Sequence, residues 1–559
     1  MVPRKRDELV FLPLGGVGEI GMNLAAYGYG NEDDRQWLLV DLGVSFAGPE
    51  LPGVDLVMPD IRFLENERAN ICGLVITHGH EDHFGGVLDL WPKLNVPVYC
   101  TAFTAGLLDS KRELDYSSSN IPLNLFKAGD KFDLGPFSIE AIAVAHSIPD
   151  PVSLAITTPI GTVIHTGDWK IDHEPSLGAV TDEKRFKELG QQGVLALVCD
   201  STNARREGVS PSEHDVSKSL AEIISQEKGR VAITTFSSNV GRIRSIALAA
   251  KEVGRQVLLV GRSIKRSVAV AEELGYLEDI DPFVGEEDYP YIQRNKVVMV
   301  LTGSQGEQRA ALAKLSRDEM RSLSLSAGDC VIYSSRSIPG NERAIIDTQN
   351  RLIDMGIKII TDQDGLVHVS GHPRRSELLK MYEWVKPKIL VPVHGEAAHL
   401  AAQTALGRQA GIETVAEIRN GDMLRLAPDP VEIIDEVPVG QIYKDGNLVG
   451  NEEELGVKER RKLSYVGHIS VSLVLDKKHN LAICPDIVSF GVPETDGHRE
   501  LIDNIIADTI ESTIDSIPRI KRKDDELVRE AVRRAIRSTV NEIWGKKPVC
   551  AVFLHRLQS

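Results

Sequence analysis

Six consecutive residues, His78-Gly79-His80-Glu81-Asp82-His83, hold three histidines and two acids. They follow an apolar run, Leu74-Val75-Ile76, that reads as a buried strand. They precede Gly85-Gly86 and a helical pattern at Val87, Leu88, Leu90 and Trp91. A cluster at a strand's carboxyl end and a helix's start has backbone amides and side chains converging on one point. Neutral imidazole and carboxylate are the donors that suit zinc or manganese. His78 and His80, two apart in an extended loop, reach one side together, and Asp82 and His83 at the turn can serve a second ion. Single donors also end other strand-like runs: His146 after Ala143-Val144-Ala145, Asp168 after Val163-Ile164-His165-Thr166-Gly167, Asp200 after Val198-Cys199, and His394 after Val391-Pro392-Val393. Ser370-Gly371-His372 adds one more imidazole, just before Pro373.

These donors are spread over hundreds of residues, so the elements between them must fold back on one point. Residues 8–46 alternate strand, turn, strand. From 47 to 200 short strands alternate with helices, which implies an αββα sandwich. Then a second pattern starts. Runs at 230–236, 256–261, 297–301 and 330–334 read as strands, with an amphipathic helix over 239–254 and another to about 277. That alternation predicts a small parallel α/β domain inserted into the first one. Residues from about 430 to 460 are Pro- and Gly-containing and acidic, and read as a linker with short strands. Beyond it, 466–475, 481–492 and 549–557 read as strands. Residues 500–516 and 525–544 read as helices with apolar residues every three or four positions. The expected division is 1–208 and 356–428 for one domain, 209–355 for the insert, 429–462 for the linker and 463–559 for a small α/β carboxyl-terminal domain.

Composition limits the classes open to the chain. It has 559 residues, 42% hydrophobic and 26% charged, too long for one core. No apolar run approaches the roughly 20 residues needed to cross a bilayer. The start, Met1 to Glu8, is basic but lacks the apolar segment of a signal peptide. Six cysteines (72, 100, 199, 330, 484 and 550) are scattered without a Cys-x-x-Cys pair. They read as reduced, buried thiols and point to a cytoplasmic protein. A net charge of −17 argues against a general polyanion binder but does not exclude a nuclease, since two divalent ions hold local positive charge.

Written as His-x-His-x-Asp-His, followed in order by His146, Asp168 and His394, the pattern resembles the metallo-β-lactamase fold. The inserted α/β domain, Ser370-Gly371-His372 and the late Pro392-Val393-His394 resemble the β-CASP family of nucleic-acid-cleaving members, and within it the ribonuclease J group. Supporting runs are Leu14-Gly15-Gly16-Val17-Gly18-Glu19-Ile20-Gly21, Phe236-Ser237-Ser238-Asn239 and Thr302-Gly303-Ser304-Gln305-Gly306-Glu307. The resemblance implies that His78, His80 and His146 hold one metal, that Asp82, His83 and His394 hold the other, and that Asp168 bridges them. It makes Asp200 an acid that orients a metal-bound histidine. It turns Gly16-Val17-Gly18-Glu19-Ile20-Gly21, which fits a bare dinucleotide pattern, into an early hairpin, with Asp41 as a structural acid near the metals. It also implies that Phe236, Ser237, Ser238 and Asn239 face His368, Val369, Ser370, Gly371 and His372 across a pocket for the terminal phosphate of RNA. Arg242, Arg244 and Arg262 are candidates to line the RNA path, although arginines on helices are more often solvated.

The chemistry expected is phosphodiester hydrolysis. Two divalent ions roughly 3.5–4 Å apart clamp the attacking and leaving oxygens of an in-line displacement. Asp82 is placed to orient the attacking water, and His372 is the candidate that protonates the departing ribose 3′ oxygen. The catalytic set is therefore Asp82, His372 and Asp200, with zinc as the first cofactor and manganese as the alternative. The reading is a ribonuclease with 5′-to-3′ exonuclease action on 5′-monophosphorylated, single-stranded RNA and an endonuclease mode. A homodimer or homotetramer, other RNA-decay proteins as partners and no membrane go with it. A DNA-directed nuclease of the same family is one alternative. A thioesterase or lactonase is another, although a small ester needs no inserted domain. A non-catalytic RNA scaffold is disfavoured because all seven ligand positions are filled.

Overall fold

The computed structural model describes residues 6–113, 120–338 and 340–557, so most of the basic stretch at the start lies outside the described residues. The chain forms two compact units, one of Met1–Ser45 with Met58–Gln441 and one of Phe46–Val57 with Ile442–Ser559.

The first unit is built on two mixed sheets. One has eight strands in the order Glu432–Glu436, Asp422–Ala427, Glu8–Gly15, Leu24–Gly30, Gln36–Val40, Ile71–Val75, Val98–Cys100 and Leu123–Leu125. The other has seven, in the order Lys131–Leu134, Phe137–Ala143, Val152–Thr158, Gly161–His165, Ala196–Asp200, Ile389–Val393 and Thr414–Val415. Strand alternation sorts the side chains of the second sheet. Leu154, Ile156, Val163, Ala196 and Val198 point to the first sheet and meet Phe11, Tyr27, Leu38 and Val75. The intervening Ala155, Ile164, Leu197 and Cys199 point the other way. They pack on Phe186, Leu378, Met381 and Val385 of the helices Glu183–Gln192 and Arg375–Val385. This is the sandwich that the alternation of strands and helices predicts.

The insert is a five-stranded sheet, parallel throughout, in the order Gln256–Val260, Val297–Leu301, Val231–Thr234, Cys330–Tyr333 and Lys358–Ile360. Its strands are buried on both faces, which is why they read as unbroken apolar runs. The helix Val240–Glu252 begins at Asn239, whose side chain accepts from the Arg242 amide.

The stretch expected as a linker has two fates. Glu432–Glu436 adds an edge strand to the eight-stranded sheet. Gln441–Asp445 pairs with Leu448–Gly450 in the second unit, where the Asp55 amide donates to Lys444. Both segments pair with strands close by in sequence, as the short strands expected in this stretch. Also in the second unit, Asp486–Phe490, His468–Leu475 and Val549–Arg556 form a sheet with one face on the helices Ile502–Ser516 and Asp525–Trp544. Ile469, Val471, Leu473 and Leu475 alternate into that core against Ile506, Ile510, Val532 and Ile536. The run 481–492, expected as one strand, is extended in the ladder only over Asp486–Phe490. Cys484, ahead of it, is exposed and Cys72 and Cys550 are half-buried, which corrects the expectation of six buried thiols; all six are free.

Candidate metal centre

The centre is assembled at the carboxyl ends of strands from both sheets of the first unit. After Ile71–Val75 the chain delivers Thr77, His78 and His80 and then one helical turn, Glu81–Phe84. That turn is tied down by its own carbonyls. Asp82 O accepts from the Asn23 amide at 3.0 Å, His83 O from Leu42 at 2.7 Å and Glu81 O from Val44 at 3.0 Å. Gly43 is required by this approach, because a Cβ there would stand 1.7 Å from Asp82 O. Asp41 and His394 adopt left-handed backbone, at φ 63° and 51°. Non-glycine residues hold that conformation only where surrounding contacts enforce it.

Two sets of donors share Asp168. His78 Nε2, His80 Nδ1, His146 Nε2 and Asp168 form one, and Asp82, His83, Asp168 and His394 the other, with all ligand atoms of a set within 4.8 Å of one another. Asp168 Oδ2 lies 3.6 Å from His78 Nε2 and 3.4 Å from His146 Nε2. Its Oδ1 lies 3.3 Å from His83 Nε2 and 3.4 Å from His394 Nε2. One carboxylate thus turns one oxygen to each group.

The far nitrogen of four of the rings is fixed, which aims the near one. His83 Nδ1 is 2.7 Å from Asp41 Oδ2, His146 Nδ1 is 2.7 Å from Gly371 O, and His394 Nδ1 is 2.9 Å from Asn23 Oδ1. His78 Nδ1 is 3.0 Å from Thr77 Oγ1, and Thr77 in turn donates to Asp41. A Cβ on Gly371 would stand 2.5 Å from His146 Nδ1, so that position must be glycine. Glu81 takes no part and pairs with Lys111.

Electrostatics fit a cation. Burial pushes His80 down to about 4 and holds His78 and His146 well below the ordinary imidazole value, so these rings present lone pairs. Yet His80 Nδ1 sits 3.1 Å from His78 Nε2 and 3.0 Å from His146 Nε2. Three lone pairs at such distances need a positive charge between them. For His83, burial lowers the pKa, but Asp168, Asp82 and Asp41 outweigh it and raise it well above its usual value. A metal ion takes the place of the proton those carboxylates call for. Asp168 Oδ1 and His394 Nε2 are buried with no hydrogen-bond partner, which is costly unless an ion meets them. The residues present therefore fit a pair of divalent ions.

Beside the centre, His372 Nδ1 lies 2.8 Å from Asp200 Oδ2 and 3.8 Å from Asp168 Oδ2. Burial lowers its pKa, but Asp200 and Asp168 more than offset this and raise it to about 9. Asp200 was expected to orient a metal-bound histidine. Its imidazole partner is His372, which lies outside the two groups around Asp168 but forms a third set of candidate donors with Asp200 and His394, while its other oxygen caps the Thr202 amide at 2.8 Å. Ser370 Oγ accepts from Asn203 Nδ2 at 2.9 Å, and the same amide donates to His372 O at 3.0 Å.

The segments 236–239 and 367–372 are joined by one residue. The Arg242 amide donates to Asn239 Oδ1 at 2.9 Å, and its Nη1 donates to Val367 O at 3.0 Å and Ser334 Oγ at 2.6 Å. The same guanidinium forms a two-pronged pair with Glu213, at 3.0 and 2.9 Å. Arg242 is fully buried, so it does not line an RNA path as expected; it is a structural tie. Arg244 is likewise engaged, with Asp279 and with Ser176 O. Phe236, Ser237, Ser238 and His368 are partly exposed and Val369 is buried. His165, inside the strand before Asp168, faces away and meets Tyr27 OH at 3.0 Å. Asn23, Thr77 and Asn203 were not singled out in the sequence; a neutral side chain near a glycine run carries no local mark of a partner 371 residues away.

Comparison with known proteins places each part. Residues 36–215 match the beta-lactamase superfamily domain, 228–352 the ribonuclease J beta-CASP domain, 356–416 the Zn-dependent metallo-hydrolase RNA specificity domain and 455–557 the ribonuclease J C-terminal domain. The chain is 62% identical to ribonuclease J of Sinorhizobium meliloti, over 99% of this chain and 98% of that one. It is 36% identical to ribonuclease J of Mycobacterium tuberculosis, over 96% and 95% of the two chains. It is 32% identical to ribonuclease J2 of Bacillus subtilis, over 98% and 99%. A crystal structure of a protein of unknown function from Enterococcus faecalis V583 shares the fold at a TM-score of 0.53 and 17% identity, covering 75% of this chain and 100% of that one. With its full length matched at such identity and each of these domains in place, the chain belongs to the ribonuclease J family and is a metal-dependent ribonuclease.

Proposed function

We propose that this ribonuclease uses two divalent ions, zinc first and manganese as the alternative, and degrades single-stranded RNA from a 5′-monophosphate end in the 5′-to-3′ direction, with internal cleavage as a second mode. The observation that carries the reading is the pair of donor sets sharing Asp168, with Asp168 Oδ1 and His394 Nε2 buried and unpartnered, directly beside the Asp200–His372 pair. His78, His80 and His146 would hold one ion and Asp82, His83 and His394 the other, with Asp168 between them. When bound, such ions supply Lewis-acid stabilisation of phosphoryl charge and make water more acidic.

The chain's own groups do the rest. Asp82 is the most exposed carboxylate of the set, its side chain 29% accessible against 2% for Asp168, so it meets solvent and orients the attacking water. His372 presents Nε2 to the substrate because Asp200 accepts from Nδ1. The imidazolium that Asp200 favours gives its Nε2 proton to the departing 3′ oxygen, and the neutral ring retains its Nδ1 proton, which it donates in a hydrogen bond to Asp200. The products carry a 5′-phosphate and a 3′-hydroxyl. Phe236, Ser237, Ser238 and Asn239 on one side and His368, Val369, Ser370 and Gly371 on the other would form the end pocket; their common attachment to Arg242 supports this. A homodimer or homotetramer, association with other RNA-decay proteins and a cytoplasmic setting complete the proposal. No helix among the described residues is long and apolar enough to cross a membrane.

The test is digestion of a 5′-monophosphate RNA and its 5′-triphosphate twin, with His80→Ala as control. Mononucleotides released only from the first support the end pocket, and equal internal cuts on both remove it. Thorough chelation should abolish both reactions; persistent cleavage ends the metal-centred reading.

A further inference from the structure

Glu19 and Asn420, 401 residues apart in the chain, meet at the glycine hairpin that runs beside His394. Asn420 Nδ2 donates to Glu19 Oε1 at 2.8 Å, and the Gly16 amide donates to the same oxygen at 3.2 Å. Asn420 Oδ1 accepts from the Val17 amide at 3.1 Å. Glu19 is half-buried and, among the described residues, forms no ion pair; burial raises its pKa, and the Gly16 and Asn420 hydrogen bonds oppose the rise. A partly buried carboxylate without a counter-ion is costly, and here hydrogen bonds alone meet it.

These bonds converge on one peptide unit. The Val17 N–H that Asn420 holds and the Gly16 C=O lie in the same plane and point opposite ways, so fixing the one aims the other. That carbonyl accepts from the His394 amide at 2.8 Å. Val17 and Gly18 also pair in parallel with Gly395 and Glu396. Gly16 abuts the partner of the imidazole as well: a Cβ there would stand 2.2 Å from Asn23 Oδ1, the atom 2.9 Å from His394 Nδ1. His394 depends on such bracing. Its backbone is left-handed, and its carbonyl accepts from the Ser201 amide at 3.3 Å and Thr202 Oγ1 at 3.2 Å. Asp82 and His83 share the helical turn Glu81–Phe84, whereas His394 reaches the same group alone, from the end of Ile389–Val393.

We propose that Glu19 and Asn420 are a positioning pair for His394, acting through the peptide between Gly16 and Val17 and setting the affinity of the ion that Asp82, His83 and His394 would hold. Neither side chain belongs to a donor set. The other group is held by different contacts, His78 by Thr77 and His146 by Gly371 O, so its ion should not respond to the pair. The inference rests on the two-ion reading.

The test uses the full-length protein, stripped by chelation and titrated with zinc at buffered free-ion concentrations. The wild type should take up two ions. In Glu19→Ala and in Asn420→Ala, affinity for one of them should fall about tenfold or more, and affinity for the other should stay. Glu19→Gln keeps an acceptor oxygen for Gly16 and Asn420 and should keep both affinities. His394→Ala marks the site: adding Glu19→Ala to it should weaken zinc binding no further. A wild type that takes up one ion ends the two-ion reading and the pair with it. Two ions in the wild type, both held as tightly in Glu19→Ala, overturn the pair alone. Equal weakening of both ions, or further weakening on top of His394→Ala, marks general support of the fold and also overturns it. A Gln variant as weak as the Ala variant puts the effect in charge rather than in hydrogen bonds and overturns the route through the peptide.

Discussion

At the scale of single residues, the ligands announce themselves and their supports do not. Donor types are set by chemistry and their order by the fold, so His78, His80, Asp82 and His83 could be picked out from one short stretch. Asn23 and Asp41 are as necessary to the geometry, since they hold His394 and His83 by their far nitrogens. Replacing Asp41 with Asn should lower affinity for the ion at the His83 group by about 10–100-fold. Metal content measured against free-ion concentration checks this, and unchanged affinity would mean that Asp41 serves the strand end alone. For His372→Gln we expect kcat to fall by about 10²–10⁴ with metal content unchanged. Loss of metal along with activity would make His372 a ligand rather than a proton donor.

At the scale of elements, the joint between the sandwich and the insert is ionic and buried. Lys170, 2.7 Å from Asp172, and Arg242, paired with Glu213, are joined through the Glu213 amide, which donates to Asp172 Oδ2 at 3.0 Å. Arg242→Met leaves Glu213 buried without a partner and should cost about 3–5 kcal/mol. Adding Glu213→Leu should recover most of that loss in denaturant melts; additive losses would mean the pair is not the joint. Asp172 adds a pH signature. Burial alone would raise its pKa, but Lys170 and the amides of Glu213 and Glu174 hold it below 3.8. A depressed carboxyl contributes stability above its unfolded value and loses it as pH falls, so the wild type should weaken as pH drops below about 4. Asp172→Asn should flatten that limb, and an identical acid limb in both proteins would count against the assignment. The sequence shows Arg242 only as an arginine on a helix. Its burial depends on Ser334 and Val367, which arrive from strands and loops about 100 residues further on.

At the scale of the whole molecule, the two units carry separate cores. In the second unit, Ile510 sits at 0% exposure between the sheet and its helices. Ile510→Ala should cost about 2–5 kcal/mol and accelerate hydrogen exchange in His468–Leu475 and Val549–Arg556. Loss of protection in the inserted sheet instead would show that the cores are not independent. The division itself was partly visible. Alternating apolar positions in 468–475 and the helix over 525–544 are local patterns, and the observed bounds Asp525–Trp544 match them. That 46–57 groups with 442–559 is non-local, because it rests on pairs such as Asp55 with Lys444.

By itself the sequence determined the donor set, the strand-and-helix order that spaces it, and the family to which these point. Each of these is written in residue type and short-range periodicity. Only the tertiary structure decided which nitrogen of each ring faces inward, that Asp200 serves His372, and that Arg242 is buried. Those outcomes depend on what distant segments bring within 3 or 4 Å, and no single stretch of chain records its future neighbours.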